Sequence, residues 1–264
     1  MNLIERSFNT LIIIDKKGKH MIDRLDVHTH SLASGHAYST IKEMAEEAAK
    51  KGIELLGITE HAPTMPGTCH LFYFENLHVV PRELFGVKLL LGSEVNILDY
   101  TGSVDLEDRV LKKMDLCIAS IHPPCYQNGT RKENTMAIIN TMNNPYISII
   151  GHPDDGRFEM DYEEIVKAAK QTYTILEINN ASLAPGSFRP NTRENDRIML
   201  EYCAKYQVPV ILSSDAHTAY DIGKHENSIA LIEEVNFPEE LIINSSPEKL
   251  LHMIQQKREN CVHP

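Results

Sequence analysis

Nine residues with metal-binding side chains follow the short apolar segments of this sequence. They are seven histidines, one glutamate and one aspartate: His28, His30, His36, His61, Glu94, His122, His152, Asp215 and His217. A set of nitrogen and oxygen ligands without thiolate suits Zn²⁺, Mn²⁺ or Fe²⁺. Because nine ligands exceed what one ion coordinates, the sequence predicts two or three ions. Coordination positions left open for water and substrate oxygens would make such a site catalytic.

Two pairs of these residues are spaced two positions apart, His28 with His30 and Asp215 with His217. In an extended chain this spacing puts both side chains on one side, where they can reach a common ion. A lone buried histidine is more often a hydrogen-bonded core or surface residue than a ligand. We keep that interpretation for the other six histidines, which are His20, His70, His78, His225, His252 and His263. It does not explain the nine together, because clustered imidazoles and buried charges are costly without partners.

The elements that must position these residues are short apolar runs that alternate with amphipathic stretches, about 30 residues apart as in βαβ units. Strands are predicted over 25–27, 54–59, 88–93, 116–120, 147–150, 174–178 and 209–213. Helices are predicted over 40–51, 133–142, 161–172, 192–206 and 246–258. Nearly continuous apolar strands are typical of a parallel sheet that is buried on both faces.

Seven strand and helix units in one domain predict an α/β fold, a distorted (β/α)7 TIM-like barrel. A doubly wound open sheet is the alternative, because spacing does not show whether the sheet closes. The nine residues follow the carboxyl ends of the strands or lie in the loops after them, where α/β barrels place their active sites. We expect the barrel domain to cover 23–264 and residues 1–22 to form an N-terminal extension.

Composition limits the classes of partner. The 264 residues carry 26 Lys and Arg against 37 Asp and Glu, a net charge of −11, which disfavours binding to a nucleic-acid backbone. A nucleotide remains possible, because bound cations would reverse the local charge.

No apolar run approaches the roughly 20 residues of a membrane span. The five cysteines form no C-x-x-C pair and the N-terminus lacks the pattern of a secretory signal, so we expect a cytoplasmic protein with reduced thiols.

Three residues near the sixth strand are candidates for substrate binding. Arg189 follows this strand and could bind phosphate through two hydrogen bonds, or it could be a solvated loop residue. Asn179 and Asn180 end the strand and could contact the substrate, orient a ligand or only shape the turn. Arg193 is a weaker candidate of the same kind as Arg189. Asp154, Asp155 or Arg157 could assist protonation of the leaving group, but the sequence selects none of them.

Several strings in the sequence resemble the PHP (polymerase and histidinol phosphatase) superfamily. They are 26–30 (DVHTH), 59–61 (TEH), 92–94 (GSE), the isolated His122, 151–153 (GHP) and 214–217 (SDAH). The resemblance extends from about Leu25 to the final helix. The finer strings at 34–40 (SGHAYST), 177–180 (EINN) and 215–220 (DAHTAY) are similar to the YcdX-type phosphohydrolase branch of the superfamily.

This resemblance implies a distorted seven-stranded barrel with a trinuclear site that usually contains zinc. It assigns His28, His30, Glu94 and Asp215 to a first ion. Glu94 would bridge to a second ion. His122 and His152 would also bind this second ion. His36, His61 and His217 would bind the third ion. In this scheme Glu94 and Asp215 hold the metal-bridging water.

The resemblance implies hydrolysis of a small phosphomonoester by attack of a metal-bridging hydroxide. One alternative is a phosphodiesterase or exonuclease acting on nucleotide ends, which the acidic balance disfavours. Another is a histidinol-phosphate phosphatase from a different branch of the superfamily. A metal-binding protein without activity is the non-enzyme alternative. The natural substrate depends on loops such as 63–76 and 124–132, whose shapes the sequence does not reveal.

Overall fold

The computed structural model describes residues 4–7, 10–14 and 20–261 of the chain, with side chains from 23 to 260. Three short antiparallel strands come first: β1 (Ile4–Ser7), β2 (Thr10–Ile14) and β3 (His20–Asp23). The rest of the predicted extension, residues 1–3, 8–9 and 15–19, lies outside the described residues. The domain boundary after residue 22 therefore stays a prediction.

Seven parallel strands then form the main sheet. They are β4 (Leu25–Asp26), β5 (Leu55–His61), β7 (Val87–Asn96), β8 (Leu116–Ser120), β9 (Ile149–Ile150), β10 (Ile175–Asn179) and β11 (Val210–Ser213). A two-residue strand β6 (Glu83–Leu84) pairs antiparallel with β7. The parallel strands follow chain order across the sheet, from β4 at one edge to β11 at the other.

The two edges of this sheet meet and nearly close a barrel. Thr29, just after β4, forms a parallel bridge with Ala216, just after β11. The backbone N–H of His30 donates to the carbonyl of Ala216 at 2.8 Å. The predicted barrel is therefore confirmed, and the open doubly wound sheet is wrong, because the first and last strands hydrogen-bond to each other instead of forming two free edges.

Helices connect the strands. They are α1 (Ile41–Lys51), α2 (Leu71–Glu75), α3 (Asp108–Leu111), α4 (Arg131–Met142), α5 (Tyr162–Thr172), α6 (Thr192–Tyr206), α7 (Glu226–Glu234) and α8 (Pro247–Cys261). Capping boxes begin α1 at Thr40 and α4 at Thr130, so side chains satisfy the free N–H groups there. Within the described residues, no helix is both long and apolar enough to span a membrane.

The barrel has an apolar interior at one end, which α8 covers. Leu25, Leu55 and Leu116 from the starts of strands pack in one cluster with Leu250 and Ile254 of α8. Since strand starts lie at the amino end of a parallel barrel, this end is filled by apolar side chains. The carboxyl end is left for polar side chains, as in other α/β barrels.

A buried charged network links the start of the barrel to its last loop. His225 Nδ1 lies 2.5 Å from Asp23 Oδ2, and both side chains are fully buried. Asp26 on β4 accepts hydrogen bonds from the backbone N–H of Ser214 at 3.1 Å and of Gly223 at 2.8 Å. These contacts hold the chain on either side of Asp215. Burial lowers the pKa of His225, but the carboxylates of Asp23 and Asp26 outweigh burial and raise this pKa to about 10.

We expect His225→Gln to lower the free energy of unfolding by about 3 kcal/mol at pH 7, because it leaves buried carboxylates without their charged partner. Folded His225 keeps its proton up to about pH 10, whereas an unfolded histidine loses it near pH 6.5. The stabilisation is thus complete below the lower value and falls as the pH rises towards the higher one. Urea unfolding of both proteins from pH 7 to 10 should show the difference between them shrinking. A difference independent of pH would contradict this prediction.

Candidate metal centre

Donor atoms of four side chains surround one point at the carboxyl end of the barrel. His28 Nε2 lies 3.3 Å from Glu94 Oε1 and 3.7 Å from Asp215 Oδ1. His30 Nε2 lies 3.6 Å from Glu94 Oε2 and 3.3 Å from Asp215 Oδ1. Ligand atoms about 2.0–2.2 Å from a tetrahedral ion are roughly 3.3–3.6 Å apart. The spacing of these four side chains therefore suits one such ion.

A second set of donors faces Glu94 Oε1, the oxygen that also lies near His28 Nε2. His152 Nε2 is 2.9 Å from Glu94 Oε1, and His122 Nε2 is 3.3 Å from the same oxygen. The Glu94 side chain is fully buried, on the long strand β7. Because its two oxygens face different imidazoles, it can bridge two ions.

The third group of histidines lies at the outer side of the cluster. The Nε2 atoms of His36 and His61 are 3.2 Å apart, and the rings of His36 and His217 stack with centroids 4.8 Å apart. The structure also brings His61 to Glu94, with Nδ1 2.7 Å from Oε2. His61 thus faces two sets of donors. All nine residues predicted as ligands lie in this one cluster.

Some donor atoms in the cluster are buried without a hydrogen-bond partner. Among the described residues, the Nε2 atoms of His28 and His30 have no hydrogen-bond partner. Buried polar atoms without partners are rare and costly. Ligand atoms of three overlapping residue groups also converge closely enough to hold cations: His30, His61 and His217; His28, His30 and Asp215; and His61, Glu94 and His122. The residues therefore fit bound divalent cations.

A carboxylate behind the cluster orients two of its histidines. Glu177 on β10 is fully buried, and its Oε1 lies 2.8 Å from His28 Nδ1. Its Oε2 accepts hydrogen bonds from the His152 backbone N–H at 2.8 Å and from Asn179 Nδ2 at 3.0 Å. Because a carboxylate only accepts, His28 Nδ1 carries the proton and Nε2 keeps its lone pair for a cation.

Two further imidazoles are oriented in the same way. His30 Nδ1 lies 3.0 Å from Ser34 Oγ, whose hydroxyl donates to Glu60 Oε2 at 2.6 Å. His122 Nδ1 lies 2.8 Å from Asn96 Oδ1. In both, an oxygen partner at Nδ1 turns Nε2 towards the cluster. Such partners fix the ring orientation and raise the basicity of metal-binding histidines.

We expect Glu177→Gln to weaken zinc binding by roughly 10- to 100-fold, because the amide removes the negative charge behind His28. Competition with a chromogenic chelator would measure the dissociation constant. Glu164→Gln, at an exposed position of α5, is the matched control and should bind zinc like the wild type. Unchanged affinity in Glu177→Gln would show that this carboxylate does not support a metal site.

Two of the clustered residues have unusual backbone conformations. His152 has φ of 30° and Asp215 has φ of 56°, in the left-handed region that side chains other than glycine seldom adopt. Each follows a strand end, where the chain turns into a loop. Backbone strain of this kind persists when surrounding contacts enforce it, and it is concentrated at functional sites.

The charges in the cluster depend on one another. Burial raises the pKa of Glu94, but His122, His28 and His61 outweigh burial, so that this pKa lies well below its usual value. Burial lowers the pKa of His30, and the neighbouring His61 and His217 lower it further. Burial also lowers the pKa of His28, but Glu177, Glu94 and Asp215 outweigh burial and raise this pKa well above its usual value. The cluster therefore combines ionised carboxylates with a His30 that resists protonation and a His28 from whose Nε2 a bound cation would displace a proton.

Arg189 reaches the cluster from the loop after β10. Its guanidinium is nearly buried, with Nη1 and Nη2 each 3.3 Å from Asp215 Oδ2 and Nη1 3.0 Å from Ser182 Oγ. Asn179 lies between these groups, and its Nδ2 donates to Asp215 at 3.2 Å. Its Oδ1 accepts from Arg189 at 3.4 Å. Asn179 thus positions Asp215 and Arg189.

Asn180 has a different environment. Its Oδ1 accepts hydrogen bonds from the backbone N–H groups of Asn227 at 2.9 Å and Ser228 at 3.2 Å, at the start of α7. The side chain therefore caps a helix, and these contacts favour the structural alternative for Asn180. Arg193 lies on α6, where it pairs with Glu234.

The three residues that could assist protonation of the leaving group, Asp154, Asp155 and Arg157, have different environments. Arg157 Nε pairs with both carboxylate oxygens of Asp155, at 2.9 and 3.0 Å. Asp154 is fully buried beside Ser182, and burial raises its pKa to about 7. Among the three, only Asp154 has a carboxyl group with a pKa near neutrality.

Comparison with known proteins shows the family of the chain. The PHP domain family matches residues 26–183, which include β4 to β10 and most of the cluster. The chain belongs to the PHP family. The predicted superfamily is therefore confirmed, and the YcdX-type branch stays a prediction.

Curated PHP relatives are similar over nearly their whole length. A probable phosphatase of Clostridium novyi (strain NT) is 44% identical over 235 residues, which are 88% of this chain and 95% of the relative. A probable phosphatase of Caldanaerobacter subterraneus subsp. tengcongensis is 44% identical over 238 residues, 89% of this chain and 92% of the relative. The prediction of a phosphoric monoester hydrolase is confirmed at this level.

A solved PHP structure has the same fold. It is the histidinol phosphate phosphatase of Lactococcus lactis subsp. lactis Il1403 in complex with zinc, L-histidinol and phosphate. The TM-score is 0.56 at 18% identity, and the match covers 82% of this chain and 95% of that one. At this identity the likeness establishes the fold alone.

The sequence reasoning did not select Glu177, Glu60, Ser34 or Asn96. A signal for Glu177 was present, because it is a charged residue inside the apolar strand predicted over 174–178. Glu60 likewise ends an apolar run. A buried carboxylate needs a partner, so each could have been predicted to have a buried polar partner.

Proposed function

We propose that this PHP protein is a metal-dependent phosphomonoesterase whose three cations are held by the nine clustered residues. The observation that carries the proposal is the convergence of buried imidazole and carboxylate atoms beside the nearly buried Arg189 guanidinium. Cations next to an arginine form a site for an anion with several oxygens, as a phosphate monoester is.

The ligand sets are those that the sequence resemblance implies. We assign His28, His30, Glu94 and Asp215 to one ion. Glu94 would bridge this ion to a second one, which His122 and His152 also bind. The third ion is assigned to His36, His61 and His217. Zinc is the first choice because the solved neighbour is complexed with zinc, although Mn²⁺ and Fe²⁺ accept the same donors.

The chain's own residues orient and shield the substrate. Bound cations would supply an activated water and neutralise the phosphoryl oxygens. Glu94 and Asp215 hold the imidazoles of His28 and His30 around one point, as their mutual distances indicate. Arg189 is placed to donate two hydrogen bonds to phosphoryl oxygens, where charge develops in the transition state.

The reaction can be tested by phosphate release from p-nitrophenyl phosphate and by cleavage of bis(p-nitrophenyl) phosphate. Zinc-loaded wild type should hydrolyse the monoester, and Asp215→Asn and His61→Ala should not. His252→Ala, at an exposed position of α8, is a control expected to keep full activity. Selective cleavage of the diester would favour a phosphodiesterase. No turnover of either ester by metal-loaded protein would contradict the proposal.

A separate prediction concerns Arg189. We expect Arg189→Lys to lower kcat/KM for the monoester by roughly 10- to 100-fold, because an ammonium group cannot make the paired hydrogen bonds of a guanidinium. Inhibition by inorganic phosphate should weaken in parallel. Arg193→Lys, at a residue 48% exposed and paired with Glu234, is the matched control. Equal effects of the two changes would show that Arg189 has no special role.

A cytoplasmic location is also part of the proposal. Among the residues with described side chains, Cys69, Cys117, Cys125 and Cys203 are free thiols. Free thiols are typical of proteins kept in a reducing compartment.

A further inference from the structure

Phe188 occupies an unusual position at the edge of the metal centre. Its side chain is 73% exposed, in the loop after β10. Arg157 Cζ lies 5.1 Å from the centroid of its ring, and Arg189 Cζ lies 5.2 Å from it. Two guanidinium groups thus hold one aromatic ring that is otherwise open to solvent.

The two loops that carry these residues are fastened together. The backbone N–H of Gly156 donates to the carbonyl of Pro190 at 2.9 Å. A Cβ at Gly156 would lie only 2.5 Å from that oxygen, so this close approach requires glycine. The bond from Arg157 to both oxygens of Asp155 fixes its guanidinium. The two loops beside the Phe188 ring are therefore joined, and the Arg157 guanidinium at the ring is fixed, before any ligand binds.

This ring lies within reach of a bound substrate. Arg189 is 3.3 Å from Asp215, one of the proposed metal ligands. Because guanidinium C–N bonds are about 1.3 Å long, the Phe188 centroid lies no more than roughly 10 Å from Asp215 Oδ2. In a phosphate ester bound at the metals, a leaving group that points towards Arg189 would come close to the Phe188 ring.

The charges at the ring favour one chemical class. Arg157 pairs with Asp155, and Arg189 pairs with Asp215. Arg157 already pairs with Asp155, and Arg189 would bind the phosphoryl group itself, so neither guanidinium leaves free positive charge for a second anionic group of the substrate. An exposed aromatic face instead stacks on planar rings. We infer that Phe188 is a specificity-determining residue that stacks on a planar aromatic leaving group.

This inference rests on the proposed function, so its test must not depend on turnover. We would measure calorimetrically the binding of phenylphosphonate and methylphosphonate to the zinc-loaded protein. Wild type should bind the phenyl compound roughly 5- to 10-fold more tightly, as expected for one aromatic pair. Phe188→Leu should lose this preference and bind methylphosphonate like the wild type. Phe85→Leu is the matched control, because Phe85 is 52% exposed just before β7, at the opposite end of the barrel.

Three results would overturn the inference. The first is a wild type without preference for the phenyl compound, and the second is a preference that Phe188→Leu retains. Equal weakening of both ligands in Phe188→Leu would also reject it, since the ring would then act only by supporting Arg189. Hydrolysis of phenyl phosphate and glycerol phosphate in the same samples tests the proposed function separately.

Discussion

Glu94→Gln is expected to lower kcat for a phosphomonoester by roughly a thousandfold. The physical reason is that Glu94 faces donors on both sides, with its oxygens 2.9–3.6 Å from His28, His30, His122 and His152. The amide has nearly the same shape but no charge, so it can no longer bridge two cations. Steady-state kinetics at saturating zinc would measure the loss, and elemental analysis should show fewer ions per chain.

The control for this experiment is Glu201→Gln, an exposed position on α6 that should keep wild-type activity and metal content. The variant Glu94→Gln should still fold, because the structural networks around Asp26 and His225 are unchanged. A folded Glu94→Gln protein with full activity would exclude the bridging role. If Glu94→Gln keeps all its ions but loses activity, Glu94 is needed for catalysis and not for holding the ions.

Removal of metal by a chelator is expected to abolish turnover and to lower the melting temperature by roughly 10 °C, because cations that bind only the folded state stabilise it. Without cations, the buried Nε2 atoms of His28 and His30 have no hydrogen-bond partner among the described residues. Differential scanning calorimetry and the p-nitrophenyl phosphate assay would measure both effects on one sample.

Re-addition of Zn²⁺, Mn²⁺ or Fe²⁺ to the chelated protein should restore both properties, and the ion that restores most activity at the lowest concentration identifies the best fit. Mg²⁺ is a useful comparison, since it prefers oxygen ligands and should restore little. Full activity in the thoroughly chelated protein would contradict a metal-dependent mechanism.

Most helices and strands could be predicted because the sequence patterns that indicate them are local. The strand at 116–120 and the helix at 192–206 have the predicted bounds. Strand β9 is shorter than predicted, at Ile149–Ile150. Helix α7 was not predicted, since its start lacks a side-chain cap of its own. Asn180 caps it from a distant part of the chain, a contact that local sequence reasoning does not reveal.

The nine candidate ligands could be predicted because metal-binding side chains at strand ends form a pattern along the chain. Their supporting partners could not be selected in this way. Glu177 meets His28 across 149 positions, and Asn96 meets His122 across 26. Such pairs depend on which strands are neighbours and in what register, which spacing alone does not fix.

The sequence by itself determined the chemistry of this protein: an N/O ligand set, placed after the parallel strands of an α/β domain and resembling the PHP superfamily. Only the tertiary structure decided that the sheet closes, since the contact between Thr29 and Ala216 joins strands from opposite ends of the domain. It also decided that Arg189 meets Asp215 and that Asn180 caps helix α7. The physical reason is that periodicity and ligand type are local properties, whereas ring closure and side-chain partners follow from packing between distant segments.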